Sequence, residues 1–371
     1  MNVYLDNAAT TPLSDGMKNY LISLLDDYGN PSSQYGIGRK NRTLIDEARR
    51  TVSKFVGLPE CGRVIFTSGG SASNALAVNC CSPWEVAHSS TMHESMLLAA
   101  GEYPIECDQD GFIDLDSLEE IFRQEYSLKL ICVEHANSEC GTIQNIKKIA
   151  KIAHEHDVYI YVDCTGSIAS IPINMKETGV DAIGFSAHKI GGLKGVGAFC
   201  VANGSEIGTD DYFFEPIVYG EQNYHMYGGT ENVLGIGSLK YAIEHHKYNE
   251  KYERTLVNYI WEKVHKQFPD SYLIGPNCGS KLRLPNNLYM CIKGIYGEAL
   301  VELLDQCGIQ VSTGSACSTG HESQLLKTLK IPKVDRHSCI RVTLGGTEDI
   351  SKIQYATEKM IECIRLLYET K

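Results

Sequence analysis

Three apolar runs constrain the fold most. They are Leu128-Lys-Leu-Ile-Cys-Val-Glu134, Val158-Tyr-Ile-Tyr-Val-Asp163 and Asp181-Ala-Ile-Gly-Phe-Ser186. Each is short and apolar, and each lies about one βαβ unit from the next. A helical pattern over Lys147 to His156 joins the first two. Strands that alternate with helices predict a parallel sheet covered on both faces. Val64-Ile-Phe-Thr67 adds a strand, which ends in Ser68-Gly-Gly-Ser71. Arg39 to Phe55 reads as a helix, stopped by Gly57-Leu-Pro59.

The pattern changes after about residue 235. Leu239 to His265 reads as one long helix with a polar face. Beyond it, Leu288–Ile292, Ile309–Ser312 and Cys339–Leu344 read as strands interleaved with helices, and Ser351 to Tyr368 as a closing amphipathic helix. A chain of 371 residues exceeds one simple core. We therefore expect a large α/β domain over 15–254. Residues 1–14 and 255–371 would form a smaller α+β domain.

The formal charge of −12 argues against direct nucleic-acid binding, which needs a basic surface. It fits ordinary solubility or a basic protein partner. Met1-Asn-Val-Tyr-Leu-Asp6 lacks the basic and apolar regions of a secretory signal. No apolar run approaches the roughly 20 residues of a membrane span. A cytoplasmic protein with reduced thiols is the expectation. The fourteen cysteines include no Cys-x-x-Cys pair, so zinc-ligand spacing is missing. Most, such as Cys132 and Cys200, lie in apolar runs and read as core. Cys317 differs, because Val311-Ser-Thr-Gly-Ser-Ala-Cys-Ser-Thr-Gly320 offers it no apolar neighbours to pack on.

In open α/β sheets, ligands bind beyond the carboxyl ends of the strands. There Ser68-Gly-Gly-Ser71 leads into a helix, an arrangement suited to a phosphate. Asp163 ends another strand, where it is a helix cap or an acid partner. Lys189 follows a third, between an apolar strand and Gly191-Gly-Leu-Lys-Gly-Val-Gly197. A partly desolvated lysine has a lowered pKa and can form a Schiff base. A phosphate cradle, an acid and an amine together fit pyridoxal 5'-phosphate.

These pieces, with Tyr4-Leu-Asp-Asn-Ala-Ala-Thr-Thr-Pro12, Gly29-Asn-Pro-Ser-Ser33, Gly228-Gly-Thr-Glu-Asn-Val233 and Gly314-Ser-Ala-Cys317, resemble the cysteine desulfurases. Those are fold type I pyridoxal-phosphate enzymes of the class V aminotransferase group. The resemblance runs in order from residue 3 to about 350. It implies a mainly parallel seven-stranded sheet sandwiched by helices, with the smaller domain carrying the Cys317 loop. It also implies a reaction that takes sulfur from L-cysteine, releases L-alanine and leaves a persulfide on Cys317.

The resemblance assigns roles by residue. Lys189 would hold the cofactor as a Schiff base, and His93 would stack on the ring and move protons. Asp163 would pair the ring nitrogen. Gly70, Ser71, Ser186 and His188 would hold the phosphate, joined by Thr230 of the neighbouring subunit in a homodimer. Arg341 would clamp the substrate carboxylate, with Asn137 and Asn30 nearby. Cys317 would be the nucleophile, exposed so that its thiolate reacts and carries sulfur to an acceptor protein. Iron–sulfur clusters, thiolated tRNA and sulfur-modified DNA are destinations that such enzymes serve.

Some positions depart from the family pattern. Gly166 stands where a glutamine is usual, Ser138 where an asparagine is usual, and Tyr227 where an arginine is usual. Tyr224 or His225 would fill the arginine's space. The segment after Cys317 is about two residues short. A selenocysteine lyase, an aminotransferase of the same fold and a catalytically altered sulfur-carrier scaffold are the competing functions. Cys317 discriminates, because an aminotransferase needs no thiol there.

Overall fold

The computed structural model describes residues 1–81, 85–124, 127–203, 216–314 and 323–370. Its main sheet is built from β2 (Arg63–Thr67), β3 (Val86–Ser89), β4 (Tyr103–Ile105), β5 (Leu130–Glu134), β6 (Tyr159–Asp163), β7 (Ala182–Ser186) and β8 (Gly197–Val201). A short β1 (Val3–Tyr4) precedes it. The order across the seven-stranded sheet is β2-β8-β7-β6-β5-β3-β4. Only β8 runs antiparallel to its neighbours. The three apolar runs of the sequence are β5, β6 and β7, side by side.

Alternation along each strand feeds two layers. Ile131, Val133, Ile160, Val162, Ile183 and Phe185 pack into one core. Leu130, Cys132, Tyr161, Phe199 and Val201 pack into another, on the opposite face. Both faces are buried, so the strands read as continuous apolar runs rather than alternating ones.

The second unit contains β9 (Tyr272–Leu273), β10 (Asn287–Cys291) and β12 (Cys339–Thr343) in an antiparallel sheet of order β12-β10-β9. β11 (Ile309–Gln310) pairs in parallel with β1, which ties the N-terminus to this unit. Its own core holds Leu256, Ile260, Leu288, Leu300, Val342 and Met360.

The single long helix expected over 239–265 is instead two, Val233–His245 and Glu250–Gln267. The break has a packing cause. Ile236, Leu239 and Ile243 belong to the core of the large sheet, whereas Leu256, Val257 and Ile260 belong to the second core. The chain changes cores at 246–249, and His246 adopts extended backbone there. The expected boundary at 254 lies within the second of these helices. Among the described residues, no helix is long and apolar enough to cross a membrane.

Candidate active site

The carboxyl ends of β2, β6 and β7 meet at one point. β2 runs out at Thr67, and Gly69 turns the chain at φ 149°, a conformation that an L side chain rarely adopts. The helix Gly70–Asn79 starts immediately after it. The Gly70 amide donates to Ser186 Oγ at 2.6 Å, which ties this helix to the end of β7. A Cβ on Gly70 would lie 2.5 Å from Thr165 Oγ1 and 3.2 Å from Ser186 Oγ. Thr165 Oγ1 is buried and has no partner. A helix N-terminus and two hydroxyls, one of them unpaired, together make an anion cradle. Ser71 is exposed in the first turn of the helix.

Asp163 is buried at the end of β6. Its Oδ2 accepts from Asn74 Nδ2 at 3.0 Å, and its Oδ1 accepts from the Thr165 amide at 2.8 Å. Tyr161 OH donates to Asn74 Oδ1 at 2.7 Å, which fixes which way that amide faces. The carboxylate is thus held by donors and suited to face a cationic partner.

Lys189 follows β7 in a short 3₁₀ turn. Its ammonium donates to the carbonyls of Ala8 and Ala9 in the N-terminal segment. Burial lowers its pKa to about 8, with help from Arg341, while Asp163 and Asp6 oppose. The segment is pinned in turn: the Thr11 amide and hydroxyl donate to the His188 carbonyl at 3.0 and 2.8 Å. His188 Nδ1 lies 3.1 Å from Thr10 Oγ1, and burial drives its pKa down to about 4, so the ring is neutral. A cleft of about 440 Å³ opens here, lined among others by Asn7, Ala8, Ser138, Thr165, Gly166 and Lys189.

Two further strand ends border the site. His93 caps a one-turn helix, and its Nδ1 accepts from the Ser95 amide at 3.1 Å. The residue is exposed, so its ring is free to meet a ligand. Asn137 Nδ2 donates to the Thr91 carbonyl at 2.9 Å, and its Oδ1 accepts from the Glu139 and Cys140 amides at 2.9 and 3.0 Å. That turn presents Ser138. Arg341, buried on β12, pairs with Asp6 at 2.9 Å and donates to the Ser138 carbonyl at 3.4 Å. Its Nε has no partner, which leaves a donor for a ligand.

Other candidates are placed elsewhere. Asn30 is exposed, and its Oδ1 accepts from the Ser32 amide at 2.9 Å. Thr230 is exposed and does not line the cleft. Cys317 lies outside the described residues, as does the segment that follows it to 322. Gly314, the last described residue before it, has φ 103°, and a Cβ there would lie 2.8 Å from Tyr289 OH.

The departures from the family pattern also have positions. A Cβ on Gly166 would meet the Ala136 carbonyl at 2.8 Å and Ser138 Cβ at 3.1 Å. Two of the three departures therefore pack on each other. Tyr224 lies between Arg49 and Arg63, with guanidinium carbons 5.5 and 5.2 Å from its ring centre. The Tyr227 carbonyl accepts from Asn223 Nδ2 at 2.9 Å. Sequence reasoning missed Asn74, Thr165 and Glu134. Asn74 falls one turn into the helix after the glycine turn, and that spacing is the signal that could have exposed it.

The family model of class-V aminotransferases matches residues 3–355. A cysteine desulfurase IscS of Dictyoglomus turgidum is 36% identical and covers 98% of this chain and 96% of its own length. Cysteine desulfurase IscS 1 of Archaeoglobus fulgidus is 33% identical over 98% of this chain and 97% of its own. Among solved structures, a NifS-like protein from Rickettsia africae superposes with a TM-score of 0.88 at 27% identity, covering all of both chains.

Proposed function

This chain belongs to the class-V aminotransferase family, among its cysteine desulfurases, and from that premise we propose how its residues divide the work on L-cysteine. The observation that carries the reading is that Thr165 and Lys189 line one cleft, with the Thr165 amide on Asp163 and the Thr165 hydroxyl beside Gly70, whose own amide donates to Ser186. The unpaired Thr165 oxygen and the space at Gly70 fit the phosphate of pyridoxal phosphate. Gly70, Ser71, Ser186, His188 and Thr165 would hold that group, and Asp163 would face its ring nitrogen. When bound, pyridoxal phosphate supplies the electron sink that lets bonds at the amino acid's carbon skeleton break.

The protein does the rest. Lys189 would hold the cofactor and, with its pKa lowered to about 8, carry a proton to and from the substrate. His93 is exposed and would serve as the ring's cover and second proton carrier. Arg341 would bind the substrate carboxylate through its unpaired Nε, with Asn137 shaping the adjoining turn. The Cys317 thiolate attacks the substrate sulfur. The substrate's carbon–sulfur bond breaks, and a sulfur–sulfur bond forms on Cys317. The carbon skeleton takes up a proton and leaves as L-alanine, so one L-cysteine and one thiol give one L-alanine and one persulfide.

We further propose a homodimer in which Thr230 of each chain reaches the other's phosphate cradle; its exposure here supports this. An acceptor protein then takes the sulfur, for iron–sulfur cluster assembly or tRNA thiolation. The thirteen free cysteines among the described residues fit a reducing cytoplasm.

The test is intact and peptide mass spectrometry after L-cysteine treatment of the cofactor-loaded protein, with alanine assayed in parallel. A sulfur adduct of about 32 Da on Cys317, absent in Cys317→Ala with loss of alanine formation, is the expected result. Sulfur release undiminished in Cys317→Ala would overturn the assignment.

A further inference from the structure

Glu134 ends β5 directly opposite Asp163 in the sheet register, and no described role in the reaction uses it. Its side chain is buried. Oε1 shares a short hydrogen bond with Thr91 Oγ1 and lies 3.5 Å from Asn137 Nδ2. Oε2 is buried without a partner. The same Asn137 amide donates to the Thr91 carbonyl.

We propose that Glu134 is a positioning residue that joins the His93 loop to the Asn137 loop at the rim of the site. Thr91 is two residues before His93. Asn137 orders the turn that carries Ser138, whose carbonyl receives Arg341. Glu134 therefore acts on a proton carrier and on the carboxylate clamp through two short chains of hydrogen bonds, touching neither substrate nor cofactor. This rests on the desulfurase reading.

The neutral acid is the form that fits. A charged carboxylate would carry an orphan oxygen in a dry site and face Asp163, a like charge. Thr91 Oγ1 donates to Oε1, and protonation removes the buried charge that the unpartnered Oε2 cannot satisfy. Burial, first, and Asp163 both hold the carboxyl above its ordinary range, against the hydrogen bonds from Thr91 and Asn137. The other titratable groups whose charge bears on it are the thiols of Cys107 and Cys140, both of which burial keeps neutral.

The experiment compares cofactor-loaded wild type with Glu134→Ala, Glu134→Gln and Thr91→Val. Alanine formation is followed across pH as kcat and KM, and hydrogen–deuterium exchange is read at residues 91–95 and 137–140. Glu134→Ala and Thr91→Val should lower kcat and raise KM for cysteine, together cutting kcat/KM by about tenfold or more. Both should speed exchange in the two loops. Glu134→Gln, a fixed neutral mimic, should stay within about threefold of wild type. Glu134→Gln as impaired as Glu134→Ala would overturn the proposal, and so would loop exchange unchanged in Glu134→Ala. If wild type forms no alanine, the desulfurase reading fails, while the exchange data still decide the link between the loops.

Discussion

Asn74 and Asp163 are 89 residues apart in sequence and 3.0 Å apart in the structure, joined by a hydrogen bond from amide to carboxylate. Tyr161 OH, at 2.7 Å, holds the other end of the same amide. The acid proposed to face the cofactor ring is thus oriented by a residue on the cradle helix. Truncating Asn74→Ala leaves the Tyr161 hydroxyl and one carboxylate oxygen buried and unpaired, at a cost of about 1–3 kcal/mol. We expect a lower thermal midpoint and weaker pyridoxal phosphate binding, measured by unfolding scans and by absorbance titration.

Lys189 should react as an amine far below the ordinary lysine range. Its pKa is lowered to about 8, chiefly by burial. Below pH 8 it is protonated and inert; above, it is a free nucleophile. In the cofactor-free protein, reductive methylation followed by peptide mass spectrometry should therefore show half-maximal labelling of Lys189 near pH 8. Exposed lysines should lag behind it. Labelling of Lys189 in step with exposed lysines would contradict the burial account.

The cradle is narrow enough for one methyl group to matter. Gly70→Ala places a Cβ 2.5 Å from Thr165 Oγ1, closer than real contacts allow. Either the helix or Thr165 must shift, and the anion loses its seat. Affinity for pyridoxal phosphate should fall by about tenfold or more, equivalent to about 1.4 kcal/mol. Ser71→Ala, at an exposed position, should cost less.

Glu253 supplies a pH-dependent stability. It is 5% exposed, its Oε2 has no partner, and Glu348 and Glu250 lie near it. Burial, then these two carboxylates, raise its pKa to about 8 against the pull of Arg254. The folded state thus keeps a proton that the unfolded chain sheds near 4.5. Its contribution is full below pH 4.5 and is lost as pH rises to about 8. Glu253→Gln should flatten the fall of the thermal midpoint over that window, gaining about 2 °C or more at pH 8 relative to pH 5. Parallel wild-type and variant curves would exclude the effect.

Much of the fold was legible because it is written locally. β5, β6 and β7 each announce themselves as apolar runs, and a parallel sheet follows from their spacing. The positions of Lys189, Asp163 and Gly70 were legible for the same reason. Each sits at or just beyond the carboxyl end of a strand, and in an open α/β sheet that is where ligands sit. The motif around Cys317 and the order of the other motifs carried the resemblance.

The rest depended on which elements meet. Helical periodicity cannot register that Ile243 and Leu256 face different cores, so the helix break at 246–249 was invisible. Asn74, Thr165 and Glu134 look like ordinary polar residues until the sheet brings neighbours from 89, 95 and 43 residues away. The covalent order of the chain determined the strands and the amine, acid and glycine turn. Tertiary structure alone decided how far each group is desolvated and which oxygen or nitrogen faces it. Burial and hydrogen bonding are properties of a place in the fold, and they set both the pKa of Lys189 and the orientation of Asp163.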